Sequence, residues 1–125
     1  MAEILLAESE RDLSISIKRY LDLFNVNVDV VNDGAQTINE FSNKKYDVVI
    51  IDDNLSRIKA TDVIRMIKKQ NCNIKIILLS NKSIDKKIDD CDDVVIYPFT
   101  PCELRESLCK VGSNLWLRKL KESLF

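Results

Sequence analysis

The sequence predicts an α/β domain in which helices cover both faces of a five-stranded parallel β-sheet. Five short apolar runs, rich in β-branched residues and too short for independent helices, alternate with amphipathic stretches along residues 1–111. Strict alternation of this kind favours parallel strands joined by right-handed helical crossovers. The central run, Val48–Ile51, has no polar position and ends at Asp52 and Asp53, which is typical of a parallel strand buried on both faces.

The first predicted strand covers Ile4–Ala7 and ends at the acidic residues Glu8 and Glu10. A helix follows, because its apolar residues recur at helical spacing. Those residues are Leu13, Ile17, Leu21 and Phe24. We expect Ser9 or Asp12 to cap the beginning of this helix, since short polar side chains accept hydrogen bonds from free backbone N–H groups.

The second predicted strand, Val26–Val31, alternates valines with the polar residues Asn27 and Asp29. One face of this strand therefore tolerates water, and we expect it at an edge of the sheet. The residues Asn-Asp-Gly at 32–34 predict a turn. A second helix is expected over residues 35–43.

The second half of the chain repeats the alternation after a loop that spans residues 53–59. Its predicted elements are a helix over Ala60–Gln70, a strand over Ile74–Leu79, a short helix over Ile84–Asp90, a strand over Val94–Ile96 and a last helix that starts at Thr100 or Pro101. Proline is favoured in the first turn of a helix, where its missing N–H costs nothing.

Residues 1–111 are predicted to form the domain, and residues 112–125 stand apart from it. That last segment is amphipathic and somewhat basic, with Trp116 among several leucines. We expect an extension of the last helix, an additional helix, or a linker to an effector domain. Its apolar residues favour a docking or dimer surface.

Composition excludes several classes of function. The 125 residues suffice for one domain with a buried core, and the net charge of −1 gives no basic field for nucleic acid or for a membrane surface. No apolar run approaches the roughly 20 residues of a membrane span, and the first residues do not resemble a secretory signal, so we expect a cytoplasmic protein. The chain has no histidine, and its four cysteines form no CxxC pair, so zinc and a disulfide framework are disfavoured.

Polar residues with chemical potential follow four of the predicted strands. They are Glu8, Asp52, Ser80 and the sequence Tyr97-Pro98-Phe99. The carboxyl ends of parallel strands meet at one edge of an α/β sheet, which is where such folds bind ligands. We therefore expect these residues to build one site.

Together with the turn at 32–34, these residues resemble the receiver domain of bacterial two-component response regulators, over about residues 3–111. The resemblance implies a flavodoxin-like fold with strand order 2-1-3-4-5. It implies Asp52 as the acceptor of a phosphoryl group from a sensor histidine kinase, and Ser80 as the hydroxyl that binds this group. It also implies Mg²⁺ held by Glu8, Asp52 and the backbone carbonyl of Asn54, and a cis bond before Pro98.

Three departures from the receiver pattern bear on the chemistry. Ser9 stands where a second acidic ligand for Mg²⁺ is expected, and Tyr97 stands where the pattern has lysine. Ser56 and Ala60 also replace the proline and glycine of the loop after the acceptor. We expect Mg²⁺ binding and Mg²⁺-dependent phosphorylation to be weak or absent.

The first two departures compensate in charge before phosphorylation. Glu8 and Asp52 sum to −2, as three carboxylates and one lysine would, so the like charges are no more crowded than in the usual site. A phosphoryl group would lose its fixed cation. The hydroxyl of Tyr97 would recover part of that loss, since a hydrogen bond to a charged group is worth roughly 1.5–3 kcal/mol.

These observations predict a signalling module, not an enzyme, that regulates an output domain or partner protein, with transcription the most frequent outcome in the family. The resemblance implies a homodimer through the predicted fourth helix, the fifth strand and the last helix, without contact of this domain to nucleic acid or membrane. One alternative is a receiver that works unphosphorylated as a dimerisation or interaction module. A small α/β enzyme or flavin carrier is disfavoured, because the loop after the first strand lacks a glycine-rich phosphate cradle.

Overall fold

A single parallel β-sheet organises the molecule, whose computed structural model describes residues 2–81 and 90–112. Its strands are β1 (Glu3–Ala7), β2 (Asn27–Val31), β3 (Val48–Asp52), β4 (Lys75–Ser80) and β5 (Asp93–Ile96). They lie in the order β2-β1-β3-β4-β5, and every neighbouring pair is parallel. The predicted fold class and strand order are confirmed, as is the position of β2 at an edge.

Four described helices connect or follow the strands. They are α1 (Arg11–Asp22), α2 (Gly34–Asn43), α3 (Ala60–Gln70) and α4 (Pro101–Val111). The last of them begins as predicted, with Thr100 as its cap: the Thr100 hydroxyl accepts a hydrogen bond from the backbone N–H of Glu103, and the Glu103 carboxylate accepts one from the backbone N–H of Thr100.

The sheet separates two hydrophobic cores, and β3 contributes to both. Val48 and Ile50 pack on one face, against residues of α1 and α4. Val49 and Ile51 pack on the other face, against residues of α2 and α3. All five residues of β3 are buried, because successive side chains of a strand point to opposite faces and both faces are covered. Each such aliphatic side chain stabilises the fold by roughly 1.5–3 kcal/mol.

The predicted cap of α1 is wrong. The helix begins at Arg11 after Glu10, and no side chain caps it. The backbone N–H of Glu8 donates to the carbonyl of Val31 at 3.0 Å, which keeps the chain extended beyond β1. Asp12 therefore falls inside the first turn, where its carboxylate interacts favourably with the positive end of the helix dipole.

Two predicted elements cannot be compared with the structure. The short helix expected over Ile84–Asp90 lies, except for Asp90, outside the described residues, and so does the amphipathic segment from residue 113 onward. Among the helices that are described, none combines the length and the apolar character needed to cross a lipid bilayer.

Candidate functional site

The structure brings the predicted site residues together at the carboxyl edge of the sheet. Glu8 directly follows β1, Asp52 is the last residue of β3, and Ser80 is the last residue of β4. β1 and β4 both pair with β3, so the three side chains meet at neighbouring strand ends. Glu8 is 1% exposed, Asp52 is 5% exposed and Ser80 is fully buried. Three polar groups are thus buried at the ends of strands that are otherwise apolar.

The carboxyl groups of Glu8 and Asp52 interact directly. Burial of Glu8 raises the pKa of its carboxyl to about 8, and a hydrogen bond with Asp52 and repulsion from the Asp52 charge contribute further. Two carboxyl groups can share a hydrogen bond only when one of them is protonated. Near neutral pH, below the pKa of Glu8, the carboxyl group of Glu8 therefore holds a proton.

Tyr97 follows β5 and reaches Glu8 across the sheet edge. Its hydroxyl donates a hydrogen bond to Oε2 of Glu8 at 3.2 Å, past the ends of β4 and β3. Its backbone N–H donates to the carbonyl of Ser80 at 2.8 Å, and its ring lies 5.0 Å from the ring of Phe99. The bond to Pro98 is cis, as the resemblance implied.

The phenol of Tyr97 is a neutral donor in this position. Burial raises its pKa far above the ordinary value, and the nearby charges of Glu8 and Asp52 raise it further. The side chain combines two roles, since the half-buried ring packs against the core while the hydroxyl makes a polar contact. Its polar partner is Glu8.

The loop after β3 supplies two further polar contacts. The backbone N–H of Asn54 donates to Oδ1 of Asp52 at 3.1 Å. The hydroxyl of Ser80 donates to Oδ2 of Asp53 at 3.2 Å, while the backbone N–H of Asp53 donates to the carbonyl of Leu79 at 2.8 Å. The pairing of Asp53 with Ser80 was missed by sequence reasoning, although two consecutive aspartates at a strand end make such a pairing accessible.

The site contains oxygen atoms of the type that bind Mg²⁺, but only a small number of them. Two carboxylates and one backbone carbonyl, from Glu8, Asp52 and Asn54, are oxygen ligands of the kind that Mg²⁺ accepts while it retains several waters. The described residues contain no group of three acidic, histidine or cysteine side chains that could hold a metal ion. Because a ligating carboxylate must be ionised, binding has to displace the proton of Glu8.

A family model for the response regulator receiver domain matches residues 4–108. The chain belongs to this family. Receiver domains are signalling modules of two-component phosphorelay systems, and the strand order observed here agrees with this assignment.

Curated relatives of this receiver are longer proteins. The response regulator ArlR of Staphylococcus saprophyticus is 29% identical over 120 residues, which cover 92% of this chain and 53% of that protein. ArlR of Staphylococcus aureus is 27% identical, with the same coverage of both chains. The receiver thus spans about half the length of the curated relatives it matches.

Solved receiver structures have the same fold. The response regulator TrrA of Thermotoga maritima, in complex with Mg²⁺ and BeF, is 27% identical and superimposes with a TM-score of 0.82, over 89% of this chain and 99% of that one. The receiver domain of a sensor histidine kinase from Pseudomonas aeruginosa, with magnesium in its active-site cleft, is 26% identical with a TM-score of 0.78, over 90% and 98% of the two chains. A complex of TrrA with the histidine kinase ThkA also matches, at 28% identity and a TM-score of 0.81.

This receiver departs from the usual pattern in the contacts that surround Asp52. Tyr97 stands where the resemblance places a lysine, and it donates to Glu8 without supplying a charge. Ser9, in place of a second acid, is exposed. At the position where the usual pattern has a lysine, this receiver therefore has a neutral hydroxyl that donates to Glu8.

Proposed function

We propose that Asp52 is the phosphoacceptor of this receiver, with a sensor histidine kinase as its phosphodonor. The observation that carries the proposal is the placement of the Asp52 carboxyl at the end of β3, between Glu8 and the N–H of Asn54. The complex of TrrA with ThkA supports a histidine kinase as the partner.

The proposed reaction forms an acyl phosphate. An ionised oxygen of Asp52 attacks the phosphorus, and the bond from phosphorus to the phosphohistidine nitrogen of the partner breaks, so that the electron pair and a proton remain with the imidazole. Mg²⁺ held by Glu8, Asp52 and the Asn54 carbonyl would supply positive charge that offsets the transferred phosphoryl group. Ser80 would donate its hydroxyl to a phosphoryl oxygen, which requires it to leave Asp53.

The contacts of Glu8 make this reaction slower than in a receiver with the full set of acidic and basic residues. Glu8 must lose its proton before it can act as a ligand, and its bond from Tyr97 occupies Oε2. A neutral hydroxyl also compensates phosphoryl charge less well than a lysine does. We therefore expect phosphorylation to increase with pH up to the region in which Glu8 is ionised.

Incubation with Mg²⁺ and acetyl phosphate at several pH values tests this function, with intact mass as the readout. An adduct of one phosphoryl group is expected to form more readily at pH 9 than at pH 6. It should vanish in Asp52→Asn and persist in Asp53→Asn, which carries the matched change one residue further on. An adduct that survives in Asp52→Asn would refute the assignment of the acceptor.

A second candidate function is that of a receiver that works without phosphorylation. The observation that favours it is that Glu8, which the resemblance makes a ligand of Mg²⁺, is hydrogen-bonded to both Asp52 and Tyr97. We propose a second copy of the chain as the partner in that case, through the face of β5 and α4. Ile96 is 40% exposed there, beside Glu106 and Lys110, whose opposite charges can pair across a twofold axis.

Sedimentation velocity distinguishes the two candidates. A dimer that forms without a phosphodonor and is lost in Ile96→Asp would support the second candidate. A monomer that dimerises only after stoichiometric phosphorylation would support the first. The predicted fourth helix, which the resemblance also assigns to this interface, lies outside the described residues.

The wider role of the chain follows from the length of its relatives. This receiver matches about half of ArlR, so we propose that it controls an output domain or a separate partner protein in the cytoplasm. We further propose that residues 1–111 form the receiver and that residues 112–125 serve as an extension or linker toward that output. The module itself transmits a signal and does not turn over a small substrate.

A further inference from the structure

The loop after Asp52 is attached to the turn that precedes α2. We call residues 53–59 the acceptor loop. The backbone N–H of Gly34 donates to the carbonyl of Ser56 at 3.0 Å, which also accepts the N–H of Ile58 at 2.9 Å. Asp33 contributes a weaker contact, since its Oδ2 lies 3.5 Å from Nε of Arg57. A turn between β2 and α2 thus contacts the loop that follows the acceptor strand.

The acceptor loop contains an unfavourable backbone conformation at this contact. The hydrogen bond from Ile58 to Ser56 encloses a three-residue turn, and Arg57 at its centre has φ of 71°. Turns of this hand are rare and strained for residues other than glycine. Such a conformation persists only where the surrounding structure imposes it, and it is frequent at functional sites. The side chain of Arg57 is 74% exposed, so it contributes little packing of its own.

Gly34 is required for the approach of these two segments. A Cβ atom at this position would lie 2.6 Å from the carbonyl oxygen of Ile58, 2.8 Å from Cβ of Ile58 and 3.0 Å from Cγ2 of Val63. The first of these atoms belongs to the backbone and cannot rotate away. Gly34 has no left-handed φ, so glycine serves here for close backbone contact and not for conformational freedom.

We infer that the turn of Asp33 and Gly34 is a clamp that imposes the strained form of the acceptor loop and thereby positions Asn54 against Asp52. Gly34 is accordingly a positioning residue, which acts through Ser56 and Ile58. The effect of the clamp on phosphorylation rests on the proposed function, because Asn54 donates to the proposed phosphoacceptor. The clamp itself can be measured without phosphorylation.

Amide hydrogen exchange in the unphosphorylated protein, without Mg²⁺, tests the clamp. In Gly34→Ala we expect exchange at Ile58 and Asn54 to accelerate by about tenfold or more, because local opening of the loop becomes easier. Ala35→Gly is the matched control: it weakens the first turn of α2 from an exposed position and should leave both amides unchanged. Unchanged exchange at these amides in folded Gly34→Ala would overturn the inference.

A second pair of variants keeps the test decisive if Gly34→Ala does not fold. Arg57→Gly removes the penalty of a positive φ and, besides that, only the contact of the exposed Arg57 side chain with Asp33 at 3.5 Å, which contributes little. An imposed conformation therefore predicts a higher melting temperature and slower exchange at Ile58. Lys59→Gly is the control in the same loop, at φ of −60°, and should lower the melting temperature. Faster exchange at Ile58 in Arg57→Gly would show that the loop is not held, and would overturn the inference.

The rate of phosphorylation separates the clamp from the function on which it bears. If the wild-type protein forms the adduct, Gly34→Ala should form it several times more slowly, while Ala35→Gly should match the wild type. An adduct that forms equally fast in Gly34→Ala would overturn the positioning role. Absence of any adduct in the wild type would count against the proposed function, whereas the exchange data would still decide on the clamp.

Discussion

The hydroxyl of Tyr97 lies 3.2 Å from Oε2 of Glu8, although the two residues are 89 positions apart in the chain. They follow β5 and β1, and the ends of β4 and β3 lie between them. The bond therefore spans the strand end that carries Asp52. It joins a neutral donor to a carboxyl group whose pKa is raised to about 8. The strength of this hydrogen bond therefore depends on pH, because the charge of Glu8 does.

Replacing Tyr97 with phenylalanine should destabilise the protein more at high pH than at low pH. An ionised Glu8 loses a hydrogen bond worth roughly 2 kcal/mol, whereas a protonated Glu8 loses one worth roughly 1 kcal/mol. Urea unfolding of Tyr97→Phe at pH 9 and pH 6 measures this difference. Tyr20→Phe, which removes a hydroxyl that accepts from Arg105 on another surface, should show the same effect at both pH values. Equal losses in Tyr97→Phe would contradict the bond to Glu8.

Glu8 should make the folded state less stable as pH rises. Its pKa is about 8 in the folded protein against an ordinary value of 4.5, so the folded state binds more protons between these values. Stability from this group is complete below pH 4.5, falls through the window, and is lost above pH 8. A tenfold change in proton affinity corresponds to about 1.4 kcal/mol, so a difference on the order of 5 kcal/mol in the free energy of unfolding is expected between the two ends.

Glu8→Gln isolates this contribution. The variant keeps the size of the side chain and cannot ionise, so its advantage over the wild type should be small at pH 5 and greatest at pH 9. Urea unfolding across this range gives the difference in the free energy of unfolding. Glu106→Gln, at an exposed position of α4, should follow the wild type at every pH. A constant difference between Glu8→Gln and wild type would show that Glu8 ionises normally.

Restoring the two missing residue types should strengthen Mg²⁺ binding. In the double variant Ser9→Asp with Tyr97→Lys, a lysine lowers the pKa of Glu8, and an added carboxylate gives the cation a third acidic ligand. We expect affinity measured by calorimetry to increase by about tenfold or more, equivalent to about 1.4 kcal/mol. Ser9→Asp alone should destabilise the fold, because it adds negative charge without the cation. Unchanged affinity in the double variant would place the metal elsewhere.

Removing the carboxylate of Asp53 should accelerate formation of the phosphoryl adduct. Asp53 accepts the hydroxyl of Ser80 and places a negative charge beside the incoming group. Asp53→Asn removes the charge but keeps an acceptor, and Asp53→Ala removes both. We expect about a threefold gain in rate from the loss of charge, from repulsion at short range. Asp53→Ala should increase the rate further, because it also releases the hydroxyl of Ser80. This second increase in rate should disappear when Ser80→Ala is added, and an increase that persists would exclude Ser80 as its source.

Local sequence patterns were sufficient to predict the sheet and most of its helices. The β-branched runs located all five strands to within one residue at every boundary, and Pro101 marked the start of α4. The cap of α1 was mispredicted. Capping preferences consider only the residues near Ser9, whereas the start of the helix depends on the hydrogen bond from the backbone N–H of Glu8 to the carbonyl of Val31. That bond is set by the position of β2.

The candidate site could be predicted in its membership but not in its contacts. Parallel strands bring Glu8, Asp52 and Ser80 to one edge, as the sequence indicated. The hydrogen-bond partner of each side chain depends on side-chain length and on burial in the folded structure. The hydrogen bond between Tyr97 and Glu8 was therefore not predicted. Gly34 is a similar case: the sequence shows a turn, whereas the space that requires glycine is defined by Ile58, far along the chain.

The burial of β3 on both faces has a consequence for signal output. Ile50 and Ile51 are neighbours in the chain, yet each belongs to a different core. A displacement of the strand along its axis cannot be absorbed by one helical layer alone, because close-packed interiors transmit strain. If Asp52 is phosphorylated as proposed, opposite surfaces of the molecule would change together, so that the proposed kinase and output partner could contact different surfaces.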